Sequence, residues 1–295
     1  MIEADQPSSV NVSVLSIKKI EQFNLEERKS IIKSLHNSVQ AGSHQNVISL
    51  LAVQQQPDKL LVVLDDMFHP DLLAVLRESR AVRFDARVQK QVVSTLSSVH
   101  LIDIMLGCAE GCGHLIKQGI THPMLAACNV LVVGRTTVKI SGFALANHRL
   151  LHQKQFEARP TKQRWQAPEY HVRECADPTC GQSNIWSLGV LIWEIMSLGG
   201  TPFAQYSTQE AFLSRIREKR AKLLPLEYCS AELNQLADLC CTFDRDARPD
   251  MTDVVIKRLT NIRNGQEDPI NLTVDNVEFI YPRILPSLEQ IVARL

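Results

Sequence analysis

Residues 183–203, SNIWSLGVLIWEIMSLGGTPF, contain the most apolar segment of the chain, IWSLGVLIWEIM. Glu194 interrupts this segment, and it is too short to span a bilayer. Trp186 and Trp193 are seven residues apart, so they lie on one face of a helix. The stretch therefore predicts a buried core helix, with both tryptophans in the core.

The length and charge of the chain restrict the number of domains and the classes of partner. The 295 residues suit two ordinary domains or one two-lobed domain. Thirty-two basic residues balance thirty-two acidic ones without a dense Lys/Arg cluster, so we expect no nucleic-acid partner. The first ten residues, MIEADQPSSV, do not form a secretory signal, and no segment predicts a membrane span. These features favour a cytoplasmic chain; the alternative is the internal part of a membrane protein whose anchor lies outside this sequence.

The eight cysteines include no C-x-x-C pair and no regular disulfide spacing, which indicates a reducing compartment. Cys108 and Cys112 are four residues apart in a helical pattern and share a face. They form either half of a metal site or part of the core. We expect core residues, since no other His or Cys has matching spacing, and we predict no metal site.

The pattern of apolar residues predicts an α+β fold with two lobes. Short strand-like runs occur at VNVSVLSI, NVISLLAV and KLLVVLDD, with a helical segment near NLEERKSIIKSLHNSV. From residue 71 the pattern is helical: a short helix at DLLAVLRES, an apolar period over residues 92–119, and amphipathic helices near 208–219, 231–242 and 250–263. Two short strands, VLVVG and TVKIS, lie between. Residues 65–68 are the predicted hinge.

Five motifs in this order resemble those of a protein kinase, specifically the tyrosine-kinase branch with its receptor kinases. ITHPMLAACNVLV (residues 120–132) resembles the catalytic loop H-R-D-L-A-A-R-N, and VKISGFALA the D-F-G start of the activation segment. RWQAPEY resembles W-x-A-P-E, residues 183–203 the central helix of the large lobe, and DLCCTFDRDARPDM the segment near its end. The resemblance implies a kinase-like domain over residues 11–264, with a small lobe (11–66) and a large lobe (67–264). Residues 1–10 are then an extension and residues 265–295 a tail.

The resemblance assigns structural roles to several residues. Glu169 and Arg248 match an ion pair that clamps the activation segment onto the large lobe. His122, Phe143 and Leu50 match an apolar spine between the lobes, which Val39 is expected to complete. Asn184 replaces a central-helix Asp that accepts backbone N–H bonds from the catalytic loop, so we expect its support of that loop to be weakened.

The departures from the family pattern fall on the groups that carry the chemistry. Met124 stands where a kinase has the carboxylate beside the substrate hydroxyl, and Pro123 replaces the preceding Arg. Gly142 stands where an Asp holds Mg²⁺. Asn129, the second metal ligand, is retained, but a neutral amide does not replace a carboxylate for a hard cation. Cys128 replaces the Arg of the tyrosine-kinase loop.

The small lobe departs in the same way. Leu15 stands where V-A-I-K has its phosphate-binding Lys; Lys18 points to the opposite face, and Lys19 lies about 13 Å along the strand. The helix KSLHNSVQAG has no acid to pair with such a Lys, and the first ten residues contain no glycine for a phosphate-covering loop. We therefore expect a small lobe truncated to three strands, with an exposed edge.

The nucleotide cleft has two possible arrangements. Leu64 matches the gatekeeper position, and with Asp65 it would line the adenine side of the cleft. One possibility is that an apolar pocket persists there; the other is a collapsed cleft filled by the chain's own side chains.

These departures predict a catalytically inactive domain, a pseudokinase, that acts as a scaffold or allosteric partner in signalling and needs no cofactor. Its expected partners are proteins: active kinases or components of a receptor complex. The alternative is a residual ATP-binding tyrosine kinase or another nucleotide-dependent transferase that uses Asn129. A third possibility is a fragment of a larger receptor-like protein, with membrane association through a partner or an upstream segment.

Two further segments carry expectations. The activation segment, residues 142–168, contains no Tyr, and its only hydroxyl-bearing residue is Thr161, so we expect no phosphorylation switch of the usual kind. The tail has few charges and many apolar residues, with a final helix-like SLEQIVARL. We expect the tail to dock on the domain or on a partner.

Overall fold

The computed structural model describes residues 12–18, 24–65, 67–85, 88–122, 124–143, 162–171, 181–265 and 269–270. The predictions about residues 1–10, Pro123, Thr161 and the tail beyond residue 270 lie outside these residues. The domain bounds given above stay a prediction.

Among its described residues, the small lobe forms a three-stranded antiparallel sheet and one helix. Its strands are β1 (Val12–Lys18), β2 (Leu50–Gln55) and β3 (Lys59–Asp65), in the order β1-β3-β2. Helix α1 (Leu25–Ala41) connects β1 to β2. This confirms the three predicted strands and the helix between them.

Alternation along β3 explains which face of this sheet is buried. Leu60, Val62 and Leu64 are buried, while the residues between them are partly exposed, as expected for a strand with one covered face. The covered face forms an apolar cluster, here called the small-lobe cluster: Ile17, Ile31, Ile48, Leu60, Val62, Leu64 and Leu131. Leu131 comes from the large lobe, so this cluster also joins the two lobes.

The segment between α1 and β2 fixes the small lobe to the large lobe. Asn46 accepts a backbone bond from Ile140 (2.8 Å), and its side chain donates to the Val138 carbonyl (3.0 Å). A Cβ on Gly111 would come within 2.5 Å of the Asn46 carbonyl oxygen. Glycine at 111 therefore permits a backbone approach that no other residue allows.

The large lobe is mainly helical. Its helices are α2 (Leu72–Glu78), α3 (Ser98–Lys117), α4 (Gly181–Met196), α5 (Gln209–Arg217), α6 (Ala231–Cys240) and α7 (Lys257–Asn264). Two antiparallel strand pairs accompany them: β4 (Arg80–Asp85) with β5 (Val88–Ser94), and β6 (Val130–Val132) with β7 (Val138–Ile140). The small β-rich part and the helical part confirm the predicted α+β kinase-like fold.

Helices α3 and α4 form the centre of the large-lobe core. Both tryptophans of α4 are buried, as predicted, and so are Cys108 and Cys112 on α3, whose thiol pKa values burial raises. Helix α3 is long and apolar enough to cross a membrane by length and composition alone. Since 61% of its most apolar window is buried inside the domain, a core position explains that composition.

Two helix predictions need correction. The apolar period over 92–119 does not form one helix, because β5 continues to Ser94 and Ser97 caps α3 through its hydroxyl. Pairing with β4 overrides the helical period there. The helix predicted at 250–263 begins as a π-helical turn, Met251–Ile256, capped by Asp250, before α7. Periodicity alone does not distinguish these two helix types.

Candidate functional site

Helix α4 supports residues 120–129, the loop that resembles a catalytic loop. The Asn184 side chain accepts from the His122 backbone N–H and donates to the Ile120 carbonyl, both at 2.8 Å. Asn184 is fully buried. The amide thus contacts the loop at two points, once as acceptor and once as donor. That this support is weaker than the support from an Asp stays a prediction.

The His122 side chain connects this loop to the strand that follows it. Its Nδ1 accepts from the Met124 backbone N–H (3.1 Å), so its Nε2 carries the proton and donates to the Ser141 carbonyl (2.7 Å). The ring also lies 5.9 Å from that of Phe143, at a tilted angle. His122 is thus a buried neutral imidazole with both nitrogens bonded inside the protein.

The structure does not assemble all four residues of the expected spine. Besides the His122–Phe143 contact, Leu50 packs against the small-lobe cluster. Val39 is 66% exposed on α1 and is not part of this core, so the suggestion that it completes the spine is wrong. Counting residues along a helix does not fix its rotation about its own axis.

Met124, predicted at the position of the general base, is buried. It belongs to an apolar cluster, here called the Met124 cluster: Met124, Ala126, Cys128, Trp165, Ala167, Trp186, Val190, Phe203, Phe212, Ile216 and Ala221. The Met124 carbonyl accepts from the Asn129 side chain (2.8 Å). A thioether in these surroundings neither accepts a proton at neutral pH nor approaches a substrate hydroxyl.

Gly142, predicted at the metal-ligand position, lies directly against Asn129. Its φ is +77°, in the region that favours glycine. A Cβ built on Gly142 would overlap Cγ and Oδ1 of Asn129 and lie 2.7 Å from its Cβ. The space that a side chain at 142 needs is therefore filled by the retained Asn129. Among the described residues, no three His, Cys, Asp or Glu side chains come together as a candidate metal site.

Glu194 is a site residue that the sequence analysis treated only as a break in an apolar segment. Its Oε2 accepts from the Ala127 backbone N–H and from Trp165 Nε1, both at 2.9 Å. Burial raises the pKa of this carboxyl to about 7, although the two hydrogen bonds oppose the shift. Glu194 therefore connects α4 to the loop and to the segment before Glu169. A charged residue inside an apolar helix was the available signal.

Glu169 and Arg248 form a bidentate ion pair in the large lobe. The two contacts are 2.7 Å and 2.9 Å, and the side chains are 8% and 0% exposed, respectively. Arg248 also donates to the Gln182 and Thr242 carbonyls and lies over the Trp186 ring. Burial would raise the pKa of Glu169, but hydrogen bonds from Arg248 and Ser183, together with the Arg248 charge, lower it.

On the small-lobe side of the cleft, Leu15 lies in β1 opposite Val62. Two residues earlier, the buried Ser13 hydroxyl accepts from the Met67 backbone N–H at 2.7 Å. Leu64 is buried in the small-lobe cluster. The backbone N–H of Met67, in the hinge, is therefore already bonded to the Ser13 side chain.

Asp65, the first residue of the hinge, also bonds to groups within the domain. Its Oδ2 accepts from the Ser49 backbone N–H (3.0 Å) and from Lys139 Nζ (2.8 Å). Lys139 is on β7, so this ion pair connects the hinge to the strand that leads to Gly142. Both side chains are about four-fifths buried, which protects the pair from screening by solvent.

Comparison with known proteins agrees with this geometry. The model for the family of protein tyrosine and serine/threonine kinases matches residues 2–258. The chain is 28% identical to the tyrosine kinase receptor Cad96Ca of Drosophila melanogaster over 88% of its own length and 33% of the relative's. It is also 28% identical to the angiopoietin-1 receptor of Danio rerio over 93% of its own length and 24% of that receptor's.

A third relative extends the same pattern. The fibroblast growth factor receptor of Hydra vulgaris is 28% identical over 70% of the chain and 25% of the receptor. The chain thus spans about a quarter to a third of the length of these relatives. A family match over most of the chain, joined to a two-lobed fold and a kinase-like loop held by α4, leads to one assignment: the chain belongs to the protein tyrosine and serine/threonine kinase family, in its tyrosine-kinase branch.

Proposed function

We propose that this kinase-family domain does not transfer phosphoryl groups and acts in signalling as a scaffold or allosteric partner. The observation that carries the proposal is the filling of both acid positions. Met124 is packed in an apolar cluster, and the space for a side chain at Gly142 is occupied by Asn129. Phosphoryl transfer depends on positioning and charge neutralisation, so losing both carboxylates removes metal placement and proton acceptance together.

The contacts across the cleft support the same proposal. The hinge N–H of Met67 is bonded to Ser13, and the carboxylate of Asp65 is paired with Lys139. A nucleotide entering between the lobes has to displace these internal contacts before it gains any of its own. Leu131 of the large lobe also packs into the small-lobe cluster and joins the two lobes there. The collapsed cleft is therefore the alternative that we adopt.

Partners and location form part of the proposal. The relatives are named as receptors, and the chain corresponds to only a part of each. We place the domain on the cytoplasmic side, bound to an active kinase or to a component of a receptor complex. In that position it contributes binding surface and not turnover.

A thermal-shift titration with ATP, with and without Mg²⁺, tests the proposal most directly. The expected result is no ATP·Mg²⁺-dependent rise in melting temperature, while an active receptor kinase domain assayed in parallel is stabilised. Radiolabelled ATP assays on Tyr and Ser/Thr substrates provide the second measurement. Turnover above background that disappears in Asn129→Ala would establish the residual transferase instead.

A further inference from the structure

Helix α1 carries an exposed apolar stripe at heptad spacing. Leu25, Ile32 and Val39 are 66%, 65% and 66% exposed and are separated by seven residues each. Residues at this spacing lie on one side of a helix, so the three form a line about 21 Å long at 1.5 Å per residue. Three large aliphatic side chains exposed along one line form a candidate interaction surface.

The stripe is not the face by which α1 packs on its own domain. Ile31, Ser38 and Ala41 are buried, and Leu35 is half-buried against the small-lobe cluster. These residues fasten the helix to the sheet and to the large lobe. Leu25, Ile32 and Val39 thus face away from the part of the helix that folding requires.

The charges beside the stripe are unevenly distributed. Arg28 and Lys29 lie between Leu25 and Ile32, Lys33 follows Ile32, and His36 precedes Val39; all four are exposed. The acids of this helix are confined to its first turn, where Glu26 pairs with Lys29 at 3.2 Å. Around Ile32, the exposed apolar stripe is therefore flanked by basic side chains.

We propose that this stripe docks an amphipathic helix of a partner protein, with Leu, Ile or Val at heptad spacing and Asp or Glu along both edges. The proposal rests on the scaffold function above and names the surface and the partner chemistry. Apolar residues along the seam supply the attraction, and acidic edges opposite Arg28, Lys29 and Lys33 set the partner preference. A single helix of about four turns forms a small interface, which suits reversible binding.

A second copy of this chain fits the stripe poorly. The α1 helix of a second copy presents the same basic residues, Arg28, Lys29 and Lys33, beside its stripe, and its acids lie only in the first turn. Pairing two such helices therefore offers no acidic edge to these basic residues. Charge complementarity therefore favours a different, acidic helix over self-association.

The experiment uses the full chain and three synthetic 21-residue helical peptides, without nucleotide. One peptide has Leu and Ile at heptad core positions with Glu at both edges, the second has the same core with Lys edges, and the third is a scrambled version of the first. Fluorescence anisotropy measures binding at low and high salt. We expect the Glu-edged peptide to bind at least about 10-fold more tightly than the other two and to weaken with salt.

Two protein variants locate the binding site on the chain. Ile32→Lys is expected to weaken the Glu-edged peptide by about 10-fold or more, and Leu224→Lys, an exposed leucine of the large lobe, serves as the matched control. The double charge reversal Lys29→Glu with Lys33→Glu is expected to invert the preference toward the Lys-edged peptide. Unchanged melting temperatures exclude misfolding, and the inversion is a gain of binding that a misfolded protein does not show.

Several outcomes would overturn the docking surface. They are equal binding of the three peptides, binding unaffected by Ile32→Lys, or concentration-dependent dimers in sedimentation that Ile32→Lys abolishes. The last result assigns the stripe to a second copy of the chain. Since no nucleotide is present, these results are independent of the ATP titration. Turnover refutes the scaffold function and leaves the peptide result in place, while loss of peptide binding refutes only this surface.

Discussion

The ion pair between Glu169 and Arg248 provides a quantitative test of how the large lobe is assembled. Removing one partner leaves the other buried and charged, and the cost of such a change in a buried pair is typically about 3–5 kcal/mol. The two partners are not equivalent. Arg248→Ala leaves the carboxylate with the Ser183 hydroxyl as its remaining bond to a side chain, whereas Glu169→Ala leaves the guanidinium bonded to two backbone carbonyls.

This asymmetry sets the expected magnitudes. We expect Arg248→Ala to lower the free energy of unfolding by about 4 kcal/mol, because it also removes the contact over the Trp186 ring. For Glu169→Ala we expect about 3 kcal/mol, at the low end of that range. The coupling between the two substitutions should be about 2–3 kcal/mol, since each of them removes the same two contacts between Glu169 and Arg248.

Chemical denaturation of both single variants and the double variant measures this coupling. The pair Arg215–Glu218 provides the comparison, because its side chains are 48% and 41% exposed, and screening by solvent should leave its coupling much smaller. Equal coupling in the two cycles would refute the argument, since a buried bidentate pair is expected to couple more strongly than an exposed one. It would also remove the clamp from the account of the large lobe.

The same pair makes a prediction in acid. The pKa of Glu169 is lowered from its usual 4.5, so its contribution to stability is fully present above pH 4.5. That contribution is lost as the pH falls through the lower value of the folded state. The difference in unfolding free energy between wild type and Arg248→Ala should therefore be largest at neutral pH and shrink as the pH falls into the acid range.

The remaining predictions concern buried positions of the loop and of the strand after it. The pKa of Glu194 is raised from 4.5 to about 7, so the folded state holds this proton more tightly than the unfolded state does. The stability of wild type relative to Glu194→Gln should therefore fall by about 3 kcal/mol between pH 4.5 and 8. Chemical denaturation at several pH values measures this change, with the exposed Glu210→Gln as control, and the same pH dependence in both variants would contradict the prediction. Gly142→Asp should lower the melting temperature and add no ATP·Mg²⁺-dependent shift, because the new Cβ overlaps Asn129; an unchanged melting temperature together with a metal-dependent shift would refute this. Met124→Asp should destabilise the chain by about 3 kcal/mol or more without producing turnover, since it buries a carboxylate in the Met124 cluster. Met124→Leu should cost less than about 1.5 kcal/mol of stability. Chemical denaturation measures the stability of the two variants, and radiolabelled ATP assays measure turnover.

The sequence was sufficient for the fold because its strongest signals are periodic. Alternation in KLLVVLDD and the apolar run of α4 are long and unambiguous, so the small sheet and the core helix followed directly. The hairpin of β4 and β5 was missed for the opposite reason. Its second strand continues into the apolar period of α3, and only the capping Ser97 marks where the helix begins.

The site was predictable in its positions and less so in its contacts. Motif spacing brought Met124, Gly142 and Asn129 into one loop region, but it did not reveal that Asn129 fills the space at Gly142. The sequence also did not indicate that the Asn184 amide both accepts from the loop and donates to it. Ser13 was missed for lack of any signal, since a serine in a strand pattern does not indicate which backbone N–H its hydroxyl reaches.

The residues that match the family and those that depart from it differ in where their bonding partners lie. His122, Glu169 and Arg248, which match the family, bond to groups within the domain, so replacing any of them leaves a buried polar group unsatisfied. The family's acids at the Met124 and Gly142 positions, and its lysine at the Leu15 position, have their main partners in nucleotide, metal or substrate.

Loss of these ligand-facing groups therefore costs little folding stability, and an apolar side chain at position 124 even adds to the core. Under the proposed function, selection for a folded binding surface retains the first group of residues and is indifferent to the second. The same reasoning applies to α1. Its buried face is required for folding, whereas Leu25, Ile32 and Val39 contribute little to the isolated domain, so a partner helix gives this exposed stripe a physical role.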